Sequence, residues 1–442
     1  MSEFKKVQAW LDGFSNFEKN SHVLKPVFSL NGIRKLARLL GNPQREFMSV
    51  HVAGTVGKGS VCAMTASVLA RAGYRTGLYT SPHLVDVRER IVVNGEMVSK
   101  REFVETAGAV RKAVRGDEYT YFEVMTAIAM EFFRRKGVEI AVVETGLGGR
   151  LDSTRVVRPA AAAITPIGHD HVAVLGRTLE KIAGEKAGII VRGVKVVSAP
   201  QRPAAMKVLK DACRRREAML FRDRELVNCR AAEKNRRGSV LVVRGFFEAP
   251  VEVFLPLAGD FQVGNARTAL AVLKVLEGEG FSFSPGCLRR GFGGVRFEGR
   301  MEFFEVEGGG TVLLDGAHNP PAAAALAREL VKLDGKKLLV LGMMRDKDVR
   351  GVGRVLWGAV DEVVPVGLAG GRALTAREVG DVMRSCGREV NFLAGDMDEA
   401  MRYAAAHARR GGTVCVSGSL YAVGEAKKWL KRLHGRDAAR RA

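Results

Sequence analysis

The chain has 442 residues, of which 47% are apolar, and 70 Lys and Arg against 48 Asp and Glu give it a formal net charge of +22. That length exceeds one ordinary hydrophobic core, so two domains are expected, and apolar residues spread along the whole chain exclude a disordered or fibrous protein. The charge points either to anionic ligands or to a basic, soluble surface, two readings that composition leaves open.

At the amino end, MSEFKKVQAWLDGF interrupts its apolar pattern with charges. No membrane-spanning helix or signal peptide is expected, and the protein reads as soluble and cytoplasmic. Apolar strand-like runs then alternate with amphipathic helix-like runs, the pattern of a parallel-sheet α/β protein. Strands are expected at 48–53, 75–79, 138–143, 160–165 and 195–199, with helices at 59–72, 101–114, 121–136, 178–187 and 203–216. Residues 239–256 alternate differently and read as an antiparallel hairpin, followed by a helix over DFQVGNARTALAVLKVLEGEG. Beyond the glycine-rich stretch 291–294 a new series begins, with strands expected at 301–306, 311–315, 337–341, 361–365, 389–393 and 412–416. The domains are placed at 1–295 and 299–442. Six scattered cysteines, Cys62, Cys213, Cys229, Cys287, Cys386 and Cys415, form no CxxC pair, so reduced thiols are expected in place of a zinc site or disulfide framework.

Four stretches carry chemistry. In MSVHVAGTVGKGS, an apolar strand runs into Gly54, Thr55, Gly57, Lys58, Gly59 and Ser60 ahead of an amphipathic helix. Glycines let backbone N–H groups approach phosphate oxygens, the helix N-terminus adds partial positive charge, and Lys58 reaches terminal phosphates. The residue after the lysine is glycine where the common phosphate loop has Ser or Thr, so ATP binding and a tight structural turn both stand. In VEIAVVETGLGGRLDST the strand ends on Glu144, a carboxylate placed to hold Mg²⁺ or an ordinary strand-end acid. ITPIGHDHVAVLG puts His169, Asp170 and His171 after a third strand, as metal ligands or as loop caps; in the next helix Lys186, beside Glu185, reads as a surface ion pair. In TVLLDGAHNPPAAAAL, Asp315 stands between strand and helix, suited equally to a ribose hydroxyl or a structural cap, and Asn319-Pro320 opens the helix.

Taken together these stretches resemble the folylpolyglutamate synthase and dihydrofolate synthase family, a branch of the Mur ligases. GTVGKGS is similar to that family's GTNGKGS, so the glycine after Lys58 is the family's own form and Val56 is the departure. TSPHL (80–84) with RERI (88–91), Phe122-Glu123, LGGRLD (147–152), GEKAGI (184–189) and LDGAHNP (314–320) match in order. The resemblance implies a two-domain α/β fold: an N-terminal P-loop ATPase domain with a parallel sheet and small antiparallel addition, and a C-terminal Rossmann-like domain. It implies that ATP is held by Gly54, Thr55, Gly57, Lys58, Gly59 and Ser60 with Asn265, Arg300, Asp315 and His318. Two Mg²⁺ sites would use Ser81, Glu144, His171 and Lys186, the last as a carbamate. Lys58, Lys186, His171 and Glu144 would be catalytic, and Phe122, Glu123, Arg150 and Asp152 would face the pterin or folate. Pro26–Leu36 takes the place of the family's pterin-side amino-terminal stretch, and Arg155 stands where the family usually has Asn. The activity implied is ATP-driven addition of L-glutamate to dihydropteroate or reduced folate through an acyl phosphate, by a monomer with no nucleic-acid or membrane partner. A cell-wall Mur ligase and a basic nucleic-acid-binding NTPase are the rival readings; the first lacks support from TSPHL, the second from any aromatic-plus-basic motif.

Overall fold

A computed structural model describes residues 1–16, 29–114, 116, 119–306 and 309–441, with side chains described as far as residue 433. The stretch 17–28, which includes the start of the expected pterin-side segment at Pro26, lies outside the described residues. The chain divides into two compact units, one of Met1–Pro256 with Phe261–Arg296, the other of Leu257–Asp260 with Phe297–Ala442.

The first unit is built on an eight-stranded sheet of β1 (Met48–Ala53), β2 (Thr76–Tyr79), β3 (Ile91–Val93), β4 (Glu96–Met97), β5 (Ile140–Glu144), β6 (Pro159–Ile164), β7 (Lys195–Ser198) and β8 (Met219–Arg222). The order is β4-β3-β2-β5-β1-β6-β7-β8, parallel from β2 to β8, with β3 and β4 antiparallel at one edge. β1 and β5 are buried at every position except Met48, which requires cover on both faces and explains their unbroken apolar runs. One core joins Ala141 and Val143 to the helices Asn31–Leu39, Lys100–Ala113 and Tyr121–Arg135. Tyr121–Arg135 opens with a capping box, Thr120 accepting from Glu123 N while Glu123 accepts from Thr120 N. The first unit also carries an antiparallel sheet of β9 (Asn228–Asn235), β10 (Gly238–Arg244) and β11 (Val251–Leu255), so the expected hairpin has a third strand.

The second unit holds β12 (Glu302–Glu305), β13 (Thr311–Leu314), β14 (Lys337–Leu341), β15 (Glu362–Pro365) and β16 (Thr413–Ser417) in the order β12-β13-β16-β14-β15, with only the β12–β13 pair antiparallel. The strand expected at 389–393 is absent: that stretch makes a single bridge, Val366 to Ala394, and Phe392 stacks on Tyr403 at 4.5 Å. Its alternating apolar pattern reflects half-burial of one side, which needs no hydrogen-bonded ladder. β4, β8 and β9 escape sequence reading because they are short or polar strands at sheet edges, and β3, between β4 and β2, because it is only three residues long.

Candidate active site

In a parallel sheet the carboxyl ends of all strands point the same way, and register decides which residues stand level there. Val52 pairs with Glu144, Ala53 with Ile164 and Tyr79 with Val143. The chemistry-bearing stretches therefore leave four adjacent strands, β2, β5, β1 and β6, at one edge, each strand about 4.8 Å from the next.

The loop after β1 adopts a conformation suited to an anion. Gly54 has φ 152° and a Cβ there would stand 1.8 Å from Thr165 Oγ1; Gly57 has φ 86° and a Cβ there would stand 2.4 Å from Asn265 Oδ1. The loop after β6 braces it. Thr55 N–H and Val56 N–H donate to Pro166 O (3.0 and 3.3 Å), Thr55 Oγ1 donates to Gly168 O (3.1 Å), and Gly168 N–H donates back to Thr55 Oγ1. Helix Lys58–Arg71 begins on Gly57 with no side-chain cap, so its first-turn N–H groups are not served by its own cap. Gly59 and Ser60 lie buried in that turn, and Asn265 donates to Gln262 Oε1 (2.8 Å) on helix Phe261–Glu277.

Lys58 Nζ lies 3.8 Å from Glu144 Oε1, and Ser81 N–H donates to Glu144 Oε2 at 3.3 Å. The TSPHL and RERI motifs prove to be one brace behind Ser81. Glu89 accepts from Leu84 N, Val85 N and Asp86 N, Thr80 N–H donates to Arg90 O, and buried Arg90 donates to His83 Nδ1 over the Tyr121 ring. Lys186 is corrected outright: in place of the expected surface ion pair it is 5% exposed and Nζ donates to Gly54 O at 2.7 Å, while Glu185 pairs with Arg150. His171 caps the short turn Val172–Leu175 in the left-handed region, φ 48°, with Nε2 3.8 Å from Asp170 Oδ1. Backbone strain of this kind on a histidine is concentrated at functional sites.

The expected pterin-side residues divide. Phe122 is half-buried, stacks near Tyr79 at 6.1 Å and fills the space beside Gly146. Glu123 is a buried anchor, accepting from Ile33 N as well as from Thr120 N. Arg150 is bound up in its ion pair with Glu185, 2.7 Å. Asp152 is 4% exposed and spends Oδ2 on Leu147 N and Oδ1 on Thr154 N and Oγ1, so it braces its own loop and offers no open carboxylate. Burial holds the Asp152 carboxyl above the ordinary range, against the pull of those donors. Thr154 has one hydroxyl proton, which Asp152 accepts; at 2.8 Å the hydroxyl therefore accepts from His51 Nε2–H, which assigns the His51 tautomer. His51 Nδ1 is buried with no hydrogen-bond partner among the described residues, and burial, then the nearby Arg155, lowers the ring's pKa to about 3. Sequence reading missed this chain from β1 to the glycine loop; the histidine inside MSVHVA was the available signal.

A second cluster lies in the other unit. Asp315 is 5% exposed, with Oδ1 accepting from Ala317 N (2.9 Å) and Oδ2 from Met301 N (3.0 Å), so each of its oxygens braces the backbone. His318 Nδ1 donates to Gly316 O at 2.8 Å, leaving Nε2 as the acceptor in the neutral ring, and Asn319 caps helix Pro320–Leu330. Arg300 Nη1 donates to Gly299 O, with the guanidinium 5.6 Å over the Phe297 ring.

Among the described residues no three His, Cys, Asp or Glu side chains converge on a metal position. One carboxylate, one hydroxyl-bearing residue and a phosphate loop nonetheless fit Mg²⁺, which keeps waters and takes phosphate oxygens as ligands in preference to an all-protein cage.

Residues 52–273 match the Mur ligase middle domain and 299–420 the Mur ligase glutamate ligase domain. Over 369 residues the chain is 37% identical to the dihydrofolate synthase/folylpolyglutamate synthase of Mycobacterium tuberculosis, covering 78% of this chain and 75% of that one. The chain belongs to that family of Mur ligases. Its fold superposes on M. tuberculosis folylpolyglutamate synthase complexed with ADP at a TM-score of 0.86 and 32% identity, covering 97% of this chain and 98% of the other. E. coli FolC in complex with DHPP and ADP gives 0.84 at 29% identity, covering 99% and 98%. The two-domain Mur-ligase architecture expected from sequence is the one observed, and the chain is an ATP-dependent ligase of this family. Among the described residues, no helix is long and apolar enough to cross a membrane.

Proposed function

We propose that the chain joins L-glutamate to dihydropteroate and to the glutamyl tail of reduced folates, consuming ATP, as a monomer serving small molecules alone. The observation that carries this is the meeting of three separate sequence stretches at one phosphate loop: Lys58 beside Glu144 (3.8 Å) and Lys186 on Gly54 O (2.7 Å), in a chain of this family. Residues 1–295 bind the nucleotide through the loop around Lys58, and Arg300 and His318 belong to 299–442.

The acceptor's carboxylate oxygen attacks the γ-phosphorus of ATP, the bond to the β-phosphate oxygen breaks, and ADP leaves. The glutamate amine then attacks the acyl carbon, the carbon–oxygen bond to phosphate breaks, and the amine loses a proton as phosphate departs. Both partners of the first step are anions, so the site must offset their repulsion. The loop N–H groups after Gly57 and the Lys58 ammonium hold the phosphates where charge develops. Ser81, Glu144 and His171 would hold Mg²⁺, which when bound neutralises phosphate charge and lines up the oxygens. Lys186 would support a second cation site as a carbamate: its neutral amine adds to the carbon of CO2 and releases a proton, and the modified nitrogen keeps one N–H, enough for its bond to Gly54 O, and gains an anionic group.

Mass spectrometry of products tests the assignment, with ATP, Mg²⁺ and L-glutamate and either dihydropteroate or tetrahydrofolate as acceptor. One added glutamyl unit on each is expected, and none with Lys58→Ala, whose melting temperature should match the parent. Extension of one acceptor alone restricts the function to that one; extension of neither refutes the acceptor assignment.

A further inference from the structure

Arg300 stands in a turn that the backbone does not adopt freely. Gly299 has φ 70°, and Met301, buried and not glycine, has φ 47°. A left-handed residue that carries a side chain is strained and persists where its surroundings over-determine it. Here they do: Met301 N–H donates to Asp315 Oδ2 (3.0 Å), Gly316 N–H to Gly299 O (3.0 Å) and Gly299 N–H to Glu302 Oε2 (2.9 Å).

Glu302 is held in turn by Lys427, on helix Leu420–Arg441. Lys427 Nζ donates to Glu302 Oε1 (2.6 Å) and Oε2 (2.9 Å) and lies 2.7 Å from Glu298 Oε2, although the lysine side chain is only 2% exposed. An ammonium so deeply buried is tolerated only when paired, and separating it from its carboxylates would leave uncompensated charge. One rigidly mounted lysine therefore grips both ends, 298 and 302, of a five-residue turn with Arg300 at its centre. The guanidinium has little freedom left: it lies over Phe297, and its Nη1 stands 2.4 Å from where a Cβ on Gly316 would be.

We propose that Lys427 is a positioning residue for the reaction, clasping Glu298 and Glu302 so that the turn presents Arg300 to the nucleotide. This rests on the assignment of Arg300 to ATP. Lys427 itself touches no substrate and acts through Glu302 and the Gly299 N–H.

Steady-state kinetics on the full chain test it with Arg300→Ala, Lys427→Met and the double variant. Lys427→Met should raise KM for ATP by about tenfold, leave KM for glutamate unchanged, and add nothing to the Arg300→Ala defect. Because Lys427→Met leaves Glu302 and Glu298 without their cation, and Glu302 is the less exposed of the two, Lys427→Met/Glu302→Gln is measured beside it. That pair removes the Lys427 and Glu302 charges, leaves Glu298 half-exposed to solvent and keeps an oxygen for Gly299 N–H, and the same KM shift is expected. Additive effects of Lys427→Met and Arg300→Ala, equal shifts in both KM values, or no shift overturn the clasp while leaving Arg300 on ATP. An unchanged KM for ATP in Arg300→Ala overturns the Arg300 assignment and the clasp with it.

Discussion

His51 shows how a single buried side chain ties the nucleotide strand to the loop after Glu144. Its Nε2–H reaches Thr154, which reaches Asp152, which holds Leu147 N, so β1 and the glycine loop share one hydrogen-bonded chain. The ring is kept neutral by burial, with a pKa lowered from 6.5 to about 3. The sign follows: below pH 6.5 the unfolded chain binds a proton that the folded chain refuses until about pH 3. Folding stability from this group is therefore complete above pH 6.5 and falls by about 1.4 kcal/mol for each unit below it. His51→Gln keeps an N–H for Thr154 and removes the titration, so urea unfolding at pH 7 and pH 5 should show a shallower loss than the parent. Parallel losses would mean that His51 is charged inside the fold.

At the scale of elements, the strand–loop–helix unit over residues 48–71 depends on a glycine at 57. Its φ of 86° is left-handed, and a Cβ would stand 2.4 Å from Asn265 Oδ1 on helix Phe261–Glu277. Gly57→Ala must both strain the turn and displace Asn265, so a loss of about 1–3 kcal/mol and a raised KM for ATP are expected. Thermal melting and ATP titration check this, and an unchanged KM would remove Asn265 and the loop geometry from nucleotide binding. Element positions were mostly legible: β1 at 48–53 and β14 at 337–341 match the apolar runs residue for residue. One expected strand, 389–393, alternates in pattern yet forms no ladder, and the chain after it meets the end of β15 only at the Val366–Ala394 bridge.

For the whole molecule, the net charge of +22 has a consequence that salt reveals. ATP, glutamate and glutamyl tails are anions, and a surplus of Lys and Arg raises their concentration near the surface over distances of about 10 Å at 0.1 M salt. KM for ATP should rise about severalfold between 0.05 and 0.5 M NaCl, with kcat little changed. A KM indifferent to salt would assign the charge to solubility alone.

The family and most of the strands and helices were legible from the chain's own pattern, because these depend on local spacing and side-chain type. Glycine next to Lys58, the strand ending on Glu144 and the run into Asp315 are all local facts. Which polar atoms stay open for chemistry depends instead on how the elements pack. Lys186 left the surface for Gly54 O, Asp152 and Asp315 turned both oxygens onto backbone N–H groups, and Lys427 closed on a turn 125 positions away. Burial forces each polar group to find a partner, and a partner distant along the chain is set by the packing of elements, which no local pattern encodes.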